Sequence, residues 1–151
     1  MLKTSLLHPQ ILSALAGAGH NALILVADGN YPATTTLGAN TELVFLNLVP
    51  GTVDAVTIVQ AIVDTAPVEA AMVMAPDVVG RDTVDEDPPI WAEFSAVLER
   101  SGTPLTLEPL PRRQFYDMAA SDQVALVVVS GDERLYANLF LRIGVRRPGL
   151  P

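Results

Sequence analysis

The 151-residue chain contains no cysteine and only two histidines, His8 and His20. The absence of cysteine excludes disulfide bonds, thiolate metal sites and a cysteine nucleophile. Two histidines are too few for a histidine-rich metal site. A thiolate or histidine-rich metal site is therefore not expected.

Basic residues are also scarce. Nine Lys and Arg residues stand against 17 Asp and Glu residues, which gives a formal net charge of −8. Proteins that bind nucleic acids favour a basic surface. The sequence therefore predicts no nucleic-acid partner.

Long apolar runs are missing as well. ALILVA (22–27) and VALVVV (124–129) have the length of a strand, whereas a membrane-spanning helix needs roughly 20 apolar residues. The N-terminal MLKTSLLHPQ lacks the apolar core of a signal peptide, so a cytoplasmic protein without a membrane segment is expected. Half of the residues are nevertheless hydrophobic, and we expect a subunit interface of a homo-oligomer to bury part of them.

The hydrophobic pattern alternates between strands and helices. Strands are predicted at 22–27, 42–49, 68–75, 103–110 and 123–130, with a last one inside 131–145. Helices are predicted from Pro9 to the glycines at 17 and 19, and at 52–65, 90–102 and 112–122. This order predicts a single α/β domain over residues 1–151. Its architecture would be a three-layer sandwich, with a mixed or mostly parallel sheet and helices on both faces.

Asp28 and Tyr136 occupy the places where such folds carry their sites. Ligands bind beyond the carboxyl ends of strands, where loops meet. Asp28 leaves the first strand and Tyr136 lies in the turn before the last one. Asp-Gly is also ordinary turn chemistry, so the sequence leaves both interpretations of Asp28 open.

His20 has two interpretations. It follows a helix end, where a cation is favoured by the helix dipole, and imidazole is also the side chain suited to acid–base catalysis near neutral pH. The strand between His20 and Asp28 places them at opposite ends of the sheet. A direct pair within one subunit is therefore not expected, unless His20 folds back or the site is shared between subunits.

The remaining polar candidates have structural and functional interpretations side by side. Asn30, Tyr31 and the threonines at 34–36 form a turn-rich loop that could also bind a polyol. Arg112 and Arg113 precede two aromatic residues and could close over a sugar, although such pairs are usually solvated. Tyr136 and Asn138 could serve packing and a turn.

Taken together, four ordered segments resemble the D-ribose pyranase / L-fucose mutarotase family. They are GAGH (17–20), VADGNYP (26–32), RRQFYDMA (112–119) and SGDERLYANLFLRIGV (130–145). The family ending is reproduced by Gly131, Glu133, Tyr136, Asn138, Gly144 and Val145. PPIWAEFSAVLERSG (88–102) is similar to the fucose-type branch.

This resemblance implies a cofactor-free sugar mutarotase that assembles into a ring-shaped homo-oligomer, commonly a decamer. The monosaccharide would lie at subunit contacts. By matching position, His20, Asp28, Arg112, Tyr136 and Asn138 would line that site. For the acid–base chemistry of ring opening we expect His20 as the proton-transfer residue, with Asp28 and Tyr136 as the other catalytic residues. The substrate-binding residues would be Arg112, Asn138 and Tyr31.

Two segments depart from the fucose-type pattern. Asn21-Ala22-Leu23 stand where Gly-Asp-Glu usually follows the histidine, and GANTELVFLNLVPG (38–51) replaces an Arg-Ala-Asp-Gly segment. The alternative function is therefore a non-catalytic monosaccharide-binding or sugar-transport accessory protein. A third is an oligomer whose polar loops serve assembly alone.

Overall fold

The computed structural model describes residues 2–76, 86–102, 105–146 and 148. These residues form the alternating strands and helices that the hydrophobic pattern predicts. The strands are β1 (Leu23–Ala27), β2 (Glu42–Phe45), β3 (Val68–Met74), β4 (Leu107–Leu110), β5 (Val124–Val129) and β6 (Leu139–Ile143). The helices are α1 (Pro9–Gly17), α2 (Ala55–Val63), α3 (Pro89–Arg100) and α4 (Arg112–Ala119). None of the helices in these described ranges is long and apolar enough to cross a bilayer.

The strands form one mixed sheet in the order β2-β5-β1-β6-β3-β4. β1, β2 and β5 run parallel, as do β3 and β4, whereas β6 lies antiparallel between β1 and β3. Parallel neighbours need a crossover of about a dozen residues or more. The connection from β5 to β6 is shorter than that, which explains why β6 reverses direction.

Helices cover both faces of the sheet and confirm the three-layer prediction. Alternate side chains of β1 point to opposite faces. Ile24 and Val26 pack in the core formed with α1, α2 and α3. Leu25 and Ala27 pack in a second core, to which α4 contributes Phe115. All five β1 residues are buried, as expected for a central strand.

The second strand is shorter than predicted. The pattern indicates a strand over 42–49, but β2 ends at Phe45 and Leu48 is 83% exposed. The chain turns instead, and the Gly51 amide donates to the Gly131 carbonyl oxygen over 2.6 Å. A Cβ at Gly131 would overlap the Thr52 backbone, so glycine is required for this close approach. Of the predicted strand 103–110, residues 103 and 104 lie outside the described residues.

Candidate functional site

Five of the six predicted site residues line one cavity at the carboxyl end of β1. The cavity has a volume of about 170 Å³. The predicted residues in its wall are Asp28, Tyr31, Arg112, Tyr136 and Asn138. Asn30, Met74, Tyr116 and Leu135 complete the lining. The fold thus brings together residues from the loop after β1, the start of α4 and the connection between β5 and β6.

Asp28 is held in place by its neighbours. Its carboxylate accepts a hydrogen bond from the Asn30 backbone amide over 2.8 Å and one from Asn138 Nδ2 over 2.6 Å. The Asp28 backbone amide donates to Asn138 Oδ1 over 3.0 Å. The Asn138 side-chain amide therefore hydrogen-bonds Asp28 through both its oxygen and its nitrogen.

The environment of Asp28 favours the protonated acid. Burial raises the pKa of Asp28 above its ordinary value of 3.8, and the nearby Asp132 carboxylate adds to the rise. Hydrogen bonds from Asn30, Asn138 and Tyr31 partly oppose it because they stabilise the charged form. A carboxyl group tuned in this direction is a better proton carrier near neutral pH.

Tyr31 presents a buried hydroxyl group without a hydrogen-bond partner among the described residues. Its ring stacks on Tyr116 with centroids 5.6 Å apart and meets Phe115 edge-on at 6.4 Å. Burial raises the pKa of Tyr31 to about 12, partly opposed by the nearby Thr36 side chain. The phenol therefore stays neutral and can act as a hydrogen-bond donor to a ligand.

Tyr136 has a strained backbone. Its φ is +62°, a region that non-glycine residues enter at a cost of roughly 1–3 kcal/mol. Only 5% of Tyr136 is exposed, and it lines the cavity. Strain of this kind clusters at functional sites, which favours the functional interpretation of Tyr136 over simple packing.

The two arginines at the start of α4 separate. Arg112 lines the cavity, whereas the Arg113 side chain is 95% exposed and its Nε lies 3.9 Å from Asp117 of the next helical turn. Of the two aromatic residues that follow, Phe115 is fully buried and Tyr116 reaches the cavity. The structure therefore places Arg112 in the cavity wall and leaves the Arg113 side chain in solvent.

The threonine-rich loop behaves as a turn. The hydroxyl groups of Thr35 and Thr36 both donate to the Pro32 carbonyl oxygen over 3.1 Å. Asn30 and Tyr31 of the same loop line the cavity. The polar loop thus divides into a structural half and a ligand-facing half.

His20 lies away from this cavity, beyond the other end of β1. The five residues of β1 alone separate the two ends by roughly 16 Å. His20 Nε2 lies 3.0 and 3.2 Å from the two carboxylate oxygens of Glu69, and Asn21 Nδ2 lies 3.3 Å from His20 Nδ1. The His20 side chain is 49% exposed, so it is accessible to a neighbouring subunit.

Sequence reasoning missed an ion bridge behind the cavity and the partner of His20. Asp132 and Arg134 form a two-point salt bridge, and Arg134 also contacts Glu93 of α3. Glu69 of β3 contacts His20. Arg134 and Glu93 are 41 residues apart in sequence, and His20 and Glu69 are 49 apart. The short spacing of Asp132 and Arg134 was therefore the one signal from which an ion pair could have been predicted.

The cavity combines a proton acceptor, hydrogen-bond donors and an aromatic wall. Asp28 can take up or release a proton, Tyr31 and Arg112 can donate hydrogen bonds, and the Tyr31–Tyr116 stack offers an apolar surface. This combination suits a small polyhydroxylated ligand. Among the described residues, no three His, Asp or Glu residues group closely enough to hold a metal ion.

Comparisons with known proteins point to one family. The model of the RbsD / FucU transport protein family matches residues 1–146. The fucose mutarotase of Bos taurus is 32% identical over 147 residues, which cover 95% of this chain and 92% of that protein. The D-ribose pyranase of Geobacillus kaustophilus is 28% identical over 145 residues, which cover 96% and 95%.

A solved structure is similar as well. The fucose mutarotase of Streptococcus pneumoniae, crystallised in complex with L-fucose, superposes with a TM-score of 0.72 at 26% identity. The match covers 93% of this chain and 94% of that one.

Proposed function

The chain belongs to the RbsD / FucU transport protein family, and from this premise we propose that it is a monosaccharide mutarotase. It interconverts the anomers, or the pyranose and furanose forms, of a fucose- or ribose-like sugar. The observation that carries the proposal is the buried Asp28 carboxyl group, which shares one cavity with Tyr31, Arg112 and Tyr136.

The reaction opens and recloses a hemiacetal. A base removes the proton of the anomeric hydroxyl while an acid protonates the ring oxygen, so that the bond from the anomeric carbon to the ring oxygen breaks and a carbonyl group forms. Closure from the other face reverses the two roles. In this proposal Asp28 and His20 are the proton-transfer pair, and Tyr136 contacts the reacting hydroxyl group. Arg112, Asn138 and Tyr31 bind the remaining hydroxyl groups.

The proposal requires two subunits at each site, because His20 cannot reach Asp28 within one chain. His20 of a second subunit would complete the cavity, as the family resemblance implies. The exposed side chains of Phe45, Leu48 and Leu135 offer apolar surface for assembly. We propose a single domain per chain, a ring-shaped homo-decamer and a cytoplasmic location. Light scattering measures the oligomer, and a monomer would contradict the shared site.

Exchange NMR spectroscopy tests the activity. Catalytic amounts of the protein should accelerate anomer exchange of at least one sugar among fucose, ribose, galactose and rhamnose. The panel also identifies the preferred sugar. This matters because Asn21 and Ala22 depart from the fucose-type pattern. Binding without any acceleration would contradict the mutarotase and support the sugar-binding alternative.

Replacement of Arg112 by methionine should raise KM by roughly 10- to 100-fold, because a hydrogen bond from a charged donor contributes about 1.5–3 kcal/mol. The matched control is Arg113→Met. It removes the same charge from the neighbouring residue, whose side chain is exposed. It should change KM less than about twofold. Equal effects of the two substitutions would assign the role to net charge rather than to contact with the sugar.

Tyr31→Phe should stabilise the sugar-free protein and weaken sugar binding. A buried hydroxyl group without a partner costs about 1–3 kcal/mol, so its removal should raise the free energy of unfolding by about 1 kcal/mol. The same substitution removes a donor to the sugar and should raise KM. Urea denaturation and exchange kinetics measure the two effects. A loss of stability would show that the hydroxyl group is already satisfied in the free protein.

A further inference from the structure

The connection between β5 and β6 carries an ion bridge to α3, and neither Arg134 nor Glu93 is among the residues that line the cavity. Arg134 Nε donates to Asp132 Oδ1 over 2.9 Å, and a terminal guanidinium nitrogen donates to Asp132 Oδ2 over 2.7 Å. The other terminal nitrogen contacts a Glu93 carboxylate oxygen of α3 over 2.6 Å. Two parallel hydrogen bonds fix the orientation of a guanidinium group on a carboxylate.

The Asp132 end of this bridge is joined to the loop that holds Asp28. Asp132 is buried, at 3% exposure, and its carbonyl oxygen accepts from the Gly29 amide over 2.8 Å. Its carboxylate also accepts from the Ala55 amide at the start of α2 over 3.2 Å. Asp132 therefore links the residue after Asp28 to α2, and through Arg134 to α3.

We propose that Arg134 is a positioning residue of the sugar site that acts through Asp132. Its guanidinium group anchors the connection that carries Tyr136 and Asn138, and it compensates the Asp132 charge beside Asp28. The kinetic consequence rests on the proposed function, whereas the electrostatic one concerns the free protein.

Anchoring is needed because the connection is short and strained. Tyr136 follows Arg134 by two residues and has a φ of +62°. Asn138, two residues further on, must present both ends of its amide to Asp28. A strained conformation persists only where the surrounding contacts determine it, and the bridge to α3 supplies such contacts.

Asp28 and Asp132 are two carboxylates buried in the same region, and the Arg134 guanidinium compensates the charge of Asp132. Burial by itself would raise the pKa of Asp132, but the hydrogen bonds from the Arg134 side chain and from the Arg134 and Ala55 amides lower it below its ordinary value. Asp132 is thus ionised at neutral pH, and its charge raises the pKa of Asp28. Without Arg134, nothing in the bridge offsets this repulsion.

The ionisable side chains that line the cavity beside Asp28 are those of Tyr31, Tyr116, Tyr136 and Arg112, and the proposed function adds His20 of a second subunit. Arg134 hydrogen-bonds the carboxylates of Asp132 and Glu93. Asp132 is therefore the group through which Arg134 can change the titration of Asp28.

The test measures the pH dependence of kcat/KM by exchange NMR in two variants that should shift the pKa of Asp28 in opposite directions. Arg134→Met should move the acid limb to higher pH by roughly 0.5 to 1 unit and lower kcat/KM several-fold at the pH of the parent's acid limb, with recovery at higher pH. Asp132→Asn should move the limb to lower pH, because it removes the repelling charge. Arg113→Met is the matched control and should leave the limb in place.

A merely structural role would give a different result. Both variants would then lower kcat without moving the acid limb in opposite directions, and this outcome overturns the proposal. Arg134→Gln replaces Arg134→Met if the methionine variant does not fold, since it keeps hydrogen-bonding groups and removes the charge.

A second measurement does not depend on catalysis. The ¹³C NMR titration of the Asp28 carboxyl group in the sugar-free protein should show the same opposite shifts. If no sugar is turned over but the titration shifts as expected, the proposed function fails and the role of Arg134 stands. If turnover is observed and the titration does not shift, the role of Arg134 is overturned.

Discussion

Replacement of Asp28 by asparagine is expected to lower kcat/KM for ring opening by about 10²- to 10⁴-fold, the usual contribution of a positioned acid–base group. The amide cannot accept the proton of the anomeric hydroxyl group. The substitution also disturbs the site, because the introduced amide nitrogen could face Asn138 Nδ2, where a 2.6 Å hydrogen bond now exists. A control must separate these two effects.

The double variant Asp28→Asn/Asn138→Asp provides that control. Its charge is unchanged, and the hydrogen bond between the two side chains can form again with the donor on residue 28. The Asn30 amide still finds an oxygen acceptor. If the position of the carboxylate matters, the swapped variant should fold like the parent and stay about as inactive as Asp28→Asn. Full recovery of activity would show that any carboxylate in the cavity suffices.

The pH profile of the parent protein tests whether Asp28 acts as a base. A base must be deprotonated to act, so activity falls as the pH drops through the pKa of Asp28. Because burial raises that pKa above 3.8, the acid limb of kcat/KM should lie above the position expected for an exposed aspartate. An acid limb at or below that position would show that Asp28 is not the group that titrates.

Mixed oligomers of two inactive variants are expected to regain activity. His20→Ala and Asp28→Asn should each lose most of the activity, since each lacks one member of the proton-transfer pair. Because the proposed site takes His20 and Asp28 from different subunits, random 1:1 assembly should restore about a quarter of the sites. Co-expression with two affinity tags yields the mixed oligomers, and exchange NMR measures their activity.

The outcome distinguishes a shared site from a site within one subunit. If both residues acted in one chain, no mixed site would be complete and the activity would stay at the level of the single variants. Glu69→Gln serves as a further comparison, because Glu69 contacts His20 in the same chain but lies outside the Asp28 cavity. A loss of activity in Glu69→Gln with unchanged assembly would show that Glu69 orients the His20 ring, whereas a loss of assembly would assign the His20–Glu69 pair a structural role.

The hydrophobic pattern predicted the fold well where burial decides the structure. ALILVA and QVALVVVS are continuous apolar runs, and both became central strands that other elements cover. The prediction was wrong at the second half of 42–49. There Leu46 to Val49 look like a strand but turn away, because Gly51 docks on Gly131. A contact between residues so far apart in sequence leaves no local signal.

The site shows the same division. Asp28 and Tyr136 could be proposed from their order in the chain, since strand ends and turns are where such folds bind ligands. The hydrogen bonds between Asn138 and Asp28 form only because the sheet places β6 beside β1. The Asp132–Arg134–Glu93 bridge forms only because α3 packs behind the sheet. Side chains that meet across 41 or 110 residues have no periodicity that a single sequence reveals.

The sequence by itself determined the class of fold, the absence of cysteine chemistry and the polar segments that carry the site. Those properties depend on composition and on local spacing, which act within a few residues. The tertiary structure decided that Arg112 rather than Arg113 faces the cavity, that Asp28 is buried, and that His20 lies at the far end of β1. These features depend on which surfaces the packed sheet buries and on the direction of each strand, and both are set by contacts between distant parts of the chain.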